Sequence, residues 1–197
     1  MDKVCNARLV AKLRKQVKNE RRAIRVRQAN SVLGPSVVRV FCKNSKSGIR
    51  RSLGRMHLER LAGCHGQTEF DRFFYKALSH LDKAIMEDNS ENDRILPGHK
   101  WGHAAKVLCL YLRGIVLHTR YFDDRTAKRL KEYLYLPVDR VVLNGLRELD
   151  CSLPSRDIKS IDTKAKFKEI QDIMTVAAKA ARAPRVLFDD IWVDAKL

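Results

Sequence analysis

Two short segments of this 197-residue chain hold residues whose types and spacing could act on a nucleic acid. The first runs Leu96-Pro97-Gly98-His99-Lys100-Trp101-Gly102-His103-Ala104-Ala105-Lys106-Val107-Leu108. A Pro-Gly turn and a second glycine lead into an apolar helix whose early turns carry bases. Glycine lets the backbone approach a ligand closely, and the N–H groups at a helix start bind phosphate without reading sequence. Gly98, Lys100, Gly102 and His103 are therefore candidate DNA contacts. The second segment is Tyr135-Leu136-Pro137-Val138-Asp139-Arg140-Val141-Val142. Here an acid stands at a helix start, after a proline and among apolar residues, with Arg140 beside it as another candidate contact. Taken alone, Asp139 reads as a plain N-cap, worth about 1 kcal/mol. His99 and His103 are four apart with no third ligand near, so capping or phosphate contact suits them better than a metal.

Taken together, the two segments resemble the helix-hairpin-helix DNA glycosylase superfamily. In that family a Leu-Pro-Gly-x-Gly hairpin opens a helix that carries a lysine in the bifunctional members. An apolar-Val-Asp-x-apolar-apolar stretch with a catalytic aspartate follows. Pro137-Val138-Asp139-Arg140-Val141-Val142 matches the second motif, so the resemblance makes Asp139 the catalytic acid. Gly98 matches the first hairpin glycine, but Gly102 follows four residues later rather than two. Lys106 then lies about one turn deeper in its helix than the family lysine, and Lys100 is the other candidate. Lys106 and Asp139 are 33 residues apart, longer than the family spacing, with Tyr121 to Tyr135 reading as an inserted helix. The resemblance spans roughly residues 68–150 and implies a compact multi-helix fold like that of these glycosylases.

The chemistry it implies is removal of a damaged or modified base. Breaking an N-glycosidic bond develops oxocarbenium-like charge on the sugar. A fixed carboxylate can stabilise that charge or activate the attacking water. Lys106 could attack the sugar only as the neutral amine; burial favours that form and a close aspartate opposes it. An extruded base needs a pocket, for which Trp101, Tyr111 and Trp192 are the candidates, with Tyr121 and Phe122 also available. Each of these is also an ordinary packing residue.

The elements that must position these groups read as all-α. The formal net charge is +17, with 45% hydrophobic residues, too many for a disordered basic tail. Residues 1–60 carry +14 of that charge, from 17 Lys/Arg and three acids. They read as a basic extension on a nearly neutral body, 61–197, in one folded unit. Leu9, Leu13 and Val17 form a narrow apolar stripe on the first helix, and Arg21, Arg22 and Arg25 are its candidate phosphate contacts. Gly34-Pro35-Ser36 ends this helix, Val37 to Phe41 is a strand or extended segment, and Asn44 to Gly54 is a basic loop leading to a helix near Arg55–Leu61. Thr68 and Asp71 suggest a capping box before a core stripe from Phe70 to Ile85. Further helices are expected from Trp101 past Leu112, from Asp123 or Asp124 to Leu134, from Asp139 to Leu149 and from Thr163 to Arg182, giving seven or eight in all.

Other classes use other residues. Arg113-Gly-Ile-Val-Leu-His118 matches the R-x4–6-H pattern of the HEPN ribonucleases, which are also small and all-α. A non-catalytic nucleic-acid-binding protein needs only the charge. Phosphate-loop, dinucleotide, serine-hydrolase and zincin signatures are missing, so no cofactor and no metal are expected. The five cysteines are scattered, which speaks against a disulfide scaffold. With no secretory start and no apolar run beyond the six residues Val107 to Leu112, the expectation is a cytoplasmic, nucleoid-associated monomer acting on double-stranded DNA, with no membrane partner. If phosphates dominate its binding, affinity for duplex DNA measured by fluorescence anisotropy should fall roughly 1,000-fold between about 50 and 200 mM salt. A salt-independent affinity would contradict this.

Overall fold

A computed structural model describes residues 2–34, 41, 45–87, 101–148, 153 and 157–190, with side chains described from residue 9 onward. Among these residues the chain is all-helical, with no strand. In chain order the helices are α1 (Asp2–Ser31), α2 (Ser45–Gly54), α3 (Gln67–Glu87), α4 (Trp101–Leu117), α5 (Asp124–Lys131), α6 (Arg140–Glu148) and α7 (Lys164–Ala181). Short 3-10 turns at Leu58–Gly63, Ile158–Ser160 and Arg185–Leu187 join them. Of the sequence expectations, Val37 to Val40, Gly98, Lys100 and Trp192 lie outside the described residues.

The layout follows from apolar spacing. α4 is apolar nearly all round, and twelve of its residues, from Gly102 to Val116, are buried. It is the central helix, with α1, α3, α5 and the Ile158–Ser160 turn packed around it. A helix with so little polar surface is stable only when wrapped on most sides. α3 and α7 are amphipathic: Phe70, Phe74, Leu78, Leu81 and Ile85 of α3, and Phe167, Ile170 and Met174 of α7, face the core. Phe74 stacks on Phe167, and Tyr135 meets both rings edge-on. Thr163 caps α7 through its side chain, and Arg182 ends it in the left-handed conformation, φ 51°.

Three sequence expectations need correction. The stretch read as a basic loop is a helix, α2, because Ile49 and Leu53 are one turn apart and both fully buried against α1 and α3. The helix expected near Arg55–Leu61 is the 3-10 turn Leu58–Gly63, with Leu58 and Leu61 in the core. The capping pair also works differently. Asp71 accepts from the Gln67 side chain at 2.6 Å and from the Tyr135 hydroxyl at 2.7 Å, while Glu69 accepts from the His65 backbone N–H. The change in charge near residue 60 is not a packing boundary. Ala29, Leu33, Ile49 and Leu53 join the same core as α4.

Close approach to α4 depends on glycines. Gln28 of α1 lies over Gly114, leaving no room for a β-carbon. At Gly102 a β-carbon would sit 2.5 Å from the Ile158 carbonyl oxygen and 2.9 Å from that of Ile161. Both neighbours are backbone, so neither can swing aside. Gly102→Ala is therefore expected to force α4 off the Ile158–Ser160 turn and cost about 2 kcal/mol. A melting temperature lowered by roughly 4–8 °C would register that cost; an unchanged melt would show that the contact can relax.

Candidate functional site

The extended stretch between α5 and α6 places the candidate acid. Leu134, Leu136 and Val138 point into the core. Their backbone is held by two polar side chains from α7 and the turn after it. Gln171 accepts from the Leu136 N–H at 2.9 Å and donates to the Leu136 carbonyl at 2.8 Å, as a neighbouring strand would. Arg185, 6% exposed, donates to the carbonyls of Leu134 and Tyr133, to the Thr175 hydroxyl and to Gln67. Its guanidinium also lies over the Tyr135 ring, 4.4 Å from the centroid. Buried polar groups this completely partnered hold one geometry, because breaking any one bond strands its neighbour.

That stretch delivers Asp139 to the start of α6. Its Oδ1 accepts from the backbone N–H of Val141 at 2.8 Å and of Val142 at 3.0 Å, so the residue is an N-cap. Its Oδ2 accepts from Lys106 Nζ on α4 at 3.0 Å. The pair is partly buried, with side-chain exposures of 19% for Lys106 and 27% for Asp139. Capping and pairing therefore coexist, one on each oxygen. The two residues assigned to chemistry from separate segments meet.

A second group of charges lies alongside. Arg113, two turns along α4 from Lys106, bridges Asp189 at 2.7 Å and also contacts Asp190. Burial raises the Asp189 carboxyl above the ordinary carboxylate range; Arg113 opposes the shift, and the charges of Asp139 and Asp190 add to it. Two cations, Lys106 and Arg113, are thus ion-paired with three carboxylates among the described residues, and the exposed Arg140 follows Asp139 in the chain. Sequence reasoning missed Asp189 and Asp190. Their only trace was a pair of acids after Pro184, which offers no link to α4.

The remaining candidates separate into several groups. Trp101 is partly buried and meets Phe167 edge-on at 5.5 Å. Tyr111 is fully buried and its hydroxyl donates to the Leu53 carbonyl, so its ring has no open face for a base. Tyr121 is likewise buried and donates to Glu59 at 2.7 Å. Gly102 is covered by the Ile158–Ile161 backbone, and His103 is 8% exposed with its ring edge-on to Phe41. Neither presents a surface to phosphate. Arg25 is committed to Glu59 at 3.4 Å and to the Met56 carbonyl, fastening α1 to the body. Arg21 lies over the Tyr121 ring at 5.5 Å, while Arg22 and Arg140 are exposed.

Two cavities among the described residues are lined by neither Asp139 nor Lys106. One of about 710 Å3 lies between α2, the Leu58–Gly63 turn and α3, and one of about 660 Å3 runs along α1. No helix of the described residues is long and apolar enough to cross a membrane. No protein-family model matches the chain, and no curated protein or solved structure was found to match it.

The two uses of Asp139 can be separated by substitution. Asparagine keeps the cap and loses the charge, whereas alanine loses both. Asp139→Ala should therefore destabilise the fold by about 1 kcal/mol more than Asp139→Asn. A double-mutant cycle of Asp139→Asn with Lys106→Gln should give a coupling of roughly 1 kcal/mol in urea unfolding. Equal losses for the two Asp139 variants would remove the cap from the account.

Proposed function

We propose that the protein cleaves the N-glycosidic bond of a damaged or modified base in DNA, with Asp139 as the catalytic carboxylate. One observation carries this reading. The acid singled out by its sequence setting is fixed by two backbone N–H groups and bridged to Lys106 at 3.0 Å, with Asp189 and Asp190 held by Arg113 nearby. As the bond to the base lengthens, positive charge develops at C1′ and on the ring oxygen. A preoriented carboxylate with further acids behind it stabilises that cation without having to reorganise. Water then adds its oxygen to C1′ while the base leaves with a proton, so the sugar becomes abasic and the backbone stays intact. A carboxylate beside C1′ can also accept the proton of that water.

The bridge gives Lys106 its role. Lys106 Nζ is turned to the Asp139 carboxylate, and a nitrogen held there is not directed at a sugar. Lys106 is therefore a positioning residue that fixes the Asp139 oxygen not used in the cap, and the reaction is hydrolytic, without a covalent enzyme–sugar intermediate. Exposed cations such as Arg22 and Arg140 supply the phosphate contacts that hold the duplex.

The same charges speak against phosphodiester cleavage. Its transition state gains negative charge, which three neighbouring carboxylates would oppose. The arginine that a HEPN-type reaction needs, Arg113, is bound to Asp189 and Asp190, and His118 is exposed beyond the end of α4. Five residues also place the two on different sides of a helix axis, at about 100° per residue.

The test is a panel of duplexes, each carrying one modified or damaged base, scored for alkali-labile abasic sites. Wild-type protein should release one class of base, and Asp139→Asn should slow release at least about 100-fold while duplex affinity changes little. Borohydride should trap no covalent adduct. An adduct that forms with wild type and disappears in Lys106→Gln would make the lysine the nucleophile, contrary to this reading.

A further inference from the structure

One cavity, lined by α2, the Leu58–Gly63 turn and α3, belongs to none of the chemistry above. It measures about 710 Å3, within the range of small-molecule sites. Arg72, Lys76 and His80 line it from α3, at i, i+4 and i+8, so they share one face of that helix. Arg55 and Arg60 face them from the end of α2 and the following turn. Among the described residues, none of the four fixed cations has an acid in ion-pair distance. Like charges one turn apart destabilise a helix by a few tenths of a kcal/mol. Here they converge on one concavity rather than fanning out into solvent.

The floor is of another kind. Met56 and Phe73 are partly buried against the core, and Ala77 and Cys64 are buried. Burial raises the Cys64 thiol pKa, and its Sγ donates to the Arg60 carbonyl, so it is a neutral wall. One acid, Glu69, also lines the cavity. A bare phosphate would use the cations and waste the floor, while an apolar ligand would leave the cations unmatched.

We infer that this cavity is a nucleotide-binding site, separate from Asp139, in which the Arg72–Lys76 face and the opposing Arg55 and Arg60 hold the phosphate and the Phe73–Met56 floor takes the base. Glu69 is the acceptor for a sugar hydroxyl or a base amino group, the one feature of the wall that a phosphate cannot use. The nucleotide could be free or one unit of a strand, and the surroundings favour the strand. Arg55 and His57 also line the groove of about 660 Å3 along α1, where Arg14, Lys18 and Arg21 alternate with Leu13 and Val17. Leu13 and Val17 are 52% and 46% exposed, so the apolar stripe on α1 is open to solvent. A run of cations suits the phosphates of a single strand, and the exposed aliphatic side chains between them add apolar surface for its bases. This site stands whether or not Asp139 cleaves anything.

The test is calorimetry on the full chain with adenosine 5′-monophosphate as probe, beside adenosine alone, inorganic phosphate alone and a ten-nucleotide oligodeoxyadenylate. The nucleotide should bind at least about tenfold more tightly than either half, since both walls are needed. Arg72→Ala/Lys76→Ala removes two exposed side chains with no described partners, so the fold should persist, and binding should weaken roughly tenfold or more. Gly63→Leu, where the β-carbon direction is open and the residue lines the cavity, should block binding while keeping all four cations. Displacement of the nucleotide by the oligonucleotide assigns the site to a strand; binding without displacement assigns it to free nucleotide. Failure of the nucleotide to bind at millimolar concentration, or binding indifferent to both variants, would overturn the inference.

Discussion

The fold depends on how a short run of extended backbone is made acceptable inside an all-helical core. Leu134, Leu136 and Val138 bury their side chains and so take their peptide groups away from water. An unpartnered peptide group there costs more than a single hydrogen bond returns. Gln171 acts as a substitute strand for Leu136, and Arg185 spends its donors on Leu134, Tyr133, Thr175 and Gln67. Three distant parts of the chain, the start of α3, the approach to α6 and the end of α7, are joined through these two side chains. The position of Asp139 is a consequence: it is the next residue after a segment that cannot shift.

The electrostatics divide the molecule into regions of opposite use. Residues 1–60, which hold α1 and α2, carry +14 of the net +17, and exposed cations of this kind attract polyanions without reading sequence. In the Lys106–Asp139 region, with Asp189 and Asp190 nearby, the cations are instead paired with carboxylates. On the proposed function, a substrate drawn in by its phosphates would meet the Asp139 carboxylate where its sugar is converted to a cation. Uniformly basic proteins hold nucleic acids, but they have nothing to offer a cationic transition state.

Much of the fold was legible in the sequence because its signals are local. The stripes of α3 and α7, the continuous apolarity of α4 and the acid at the start of α6 each need only a few turns of chain to be read. α2 was missed because Ile49 and Leu53 are only two apolar residues among bases and serines. Their meaning comes from α1 and α3, which are distant in sequence. Gln171 and Arg185 were invisible for the same reason: a polar residue on a helix face reads as solvated until its partners are known. At the candidate site, spacing singled out Lys106 and Asp139, but not that one oxygen would cap α6 while the other met the lysine. Nor could it show that Gly102 would be used against the Ile158 backbone, that Tyr111 would be core, or that Arg113 would be claimed by two acids. Aromatic and glycine residues carry the same letter whether they pack or bind.

The central claim is that water replaces a base at C1′ under the influence of one oriented carboxylate. Running the reaction in 18O-labelled water and examining both products by mass spectrometry tests it directly. The account predicts an intact free base and an abasic sugar that has gained one labelled oxygen, with strand length unchanged. Label appearing on a phosphate at a strand break, or duplexes recovered with every base in place while tightly held, would contradict it and leave a protein that binds nucleic acid without acting on the sugar.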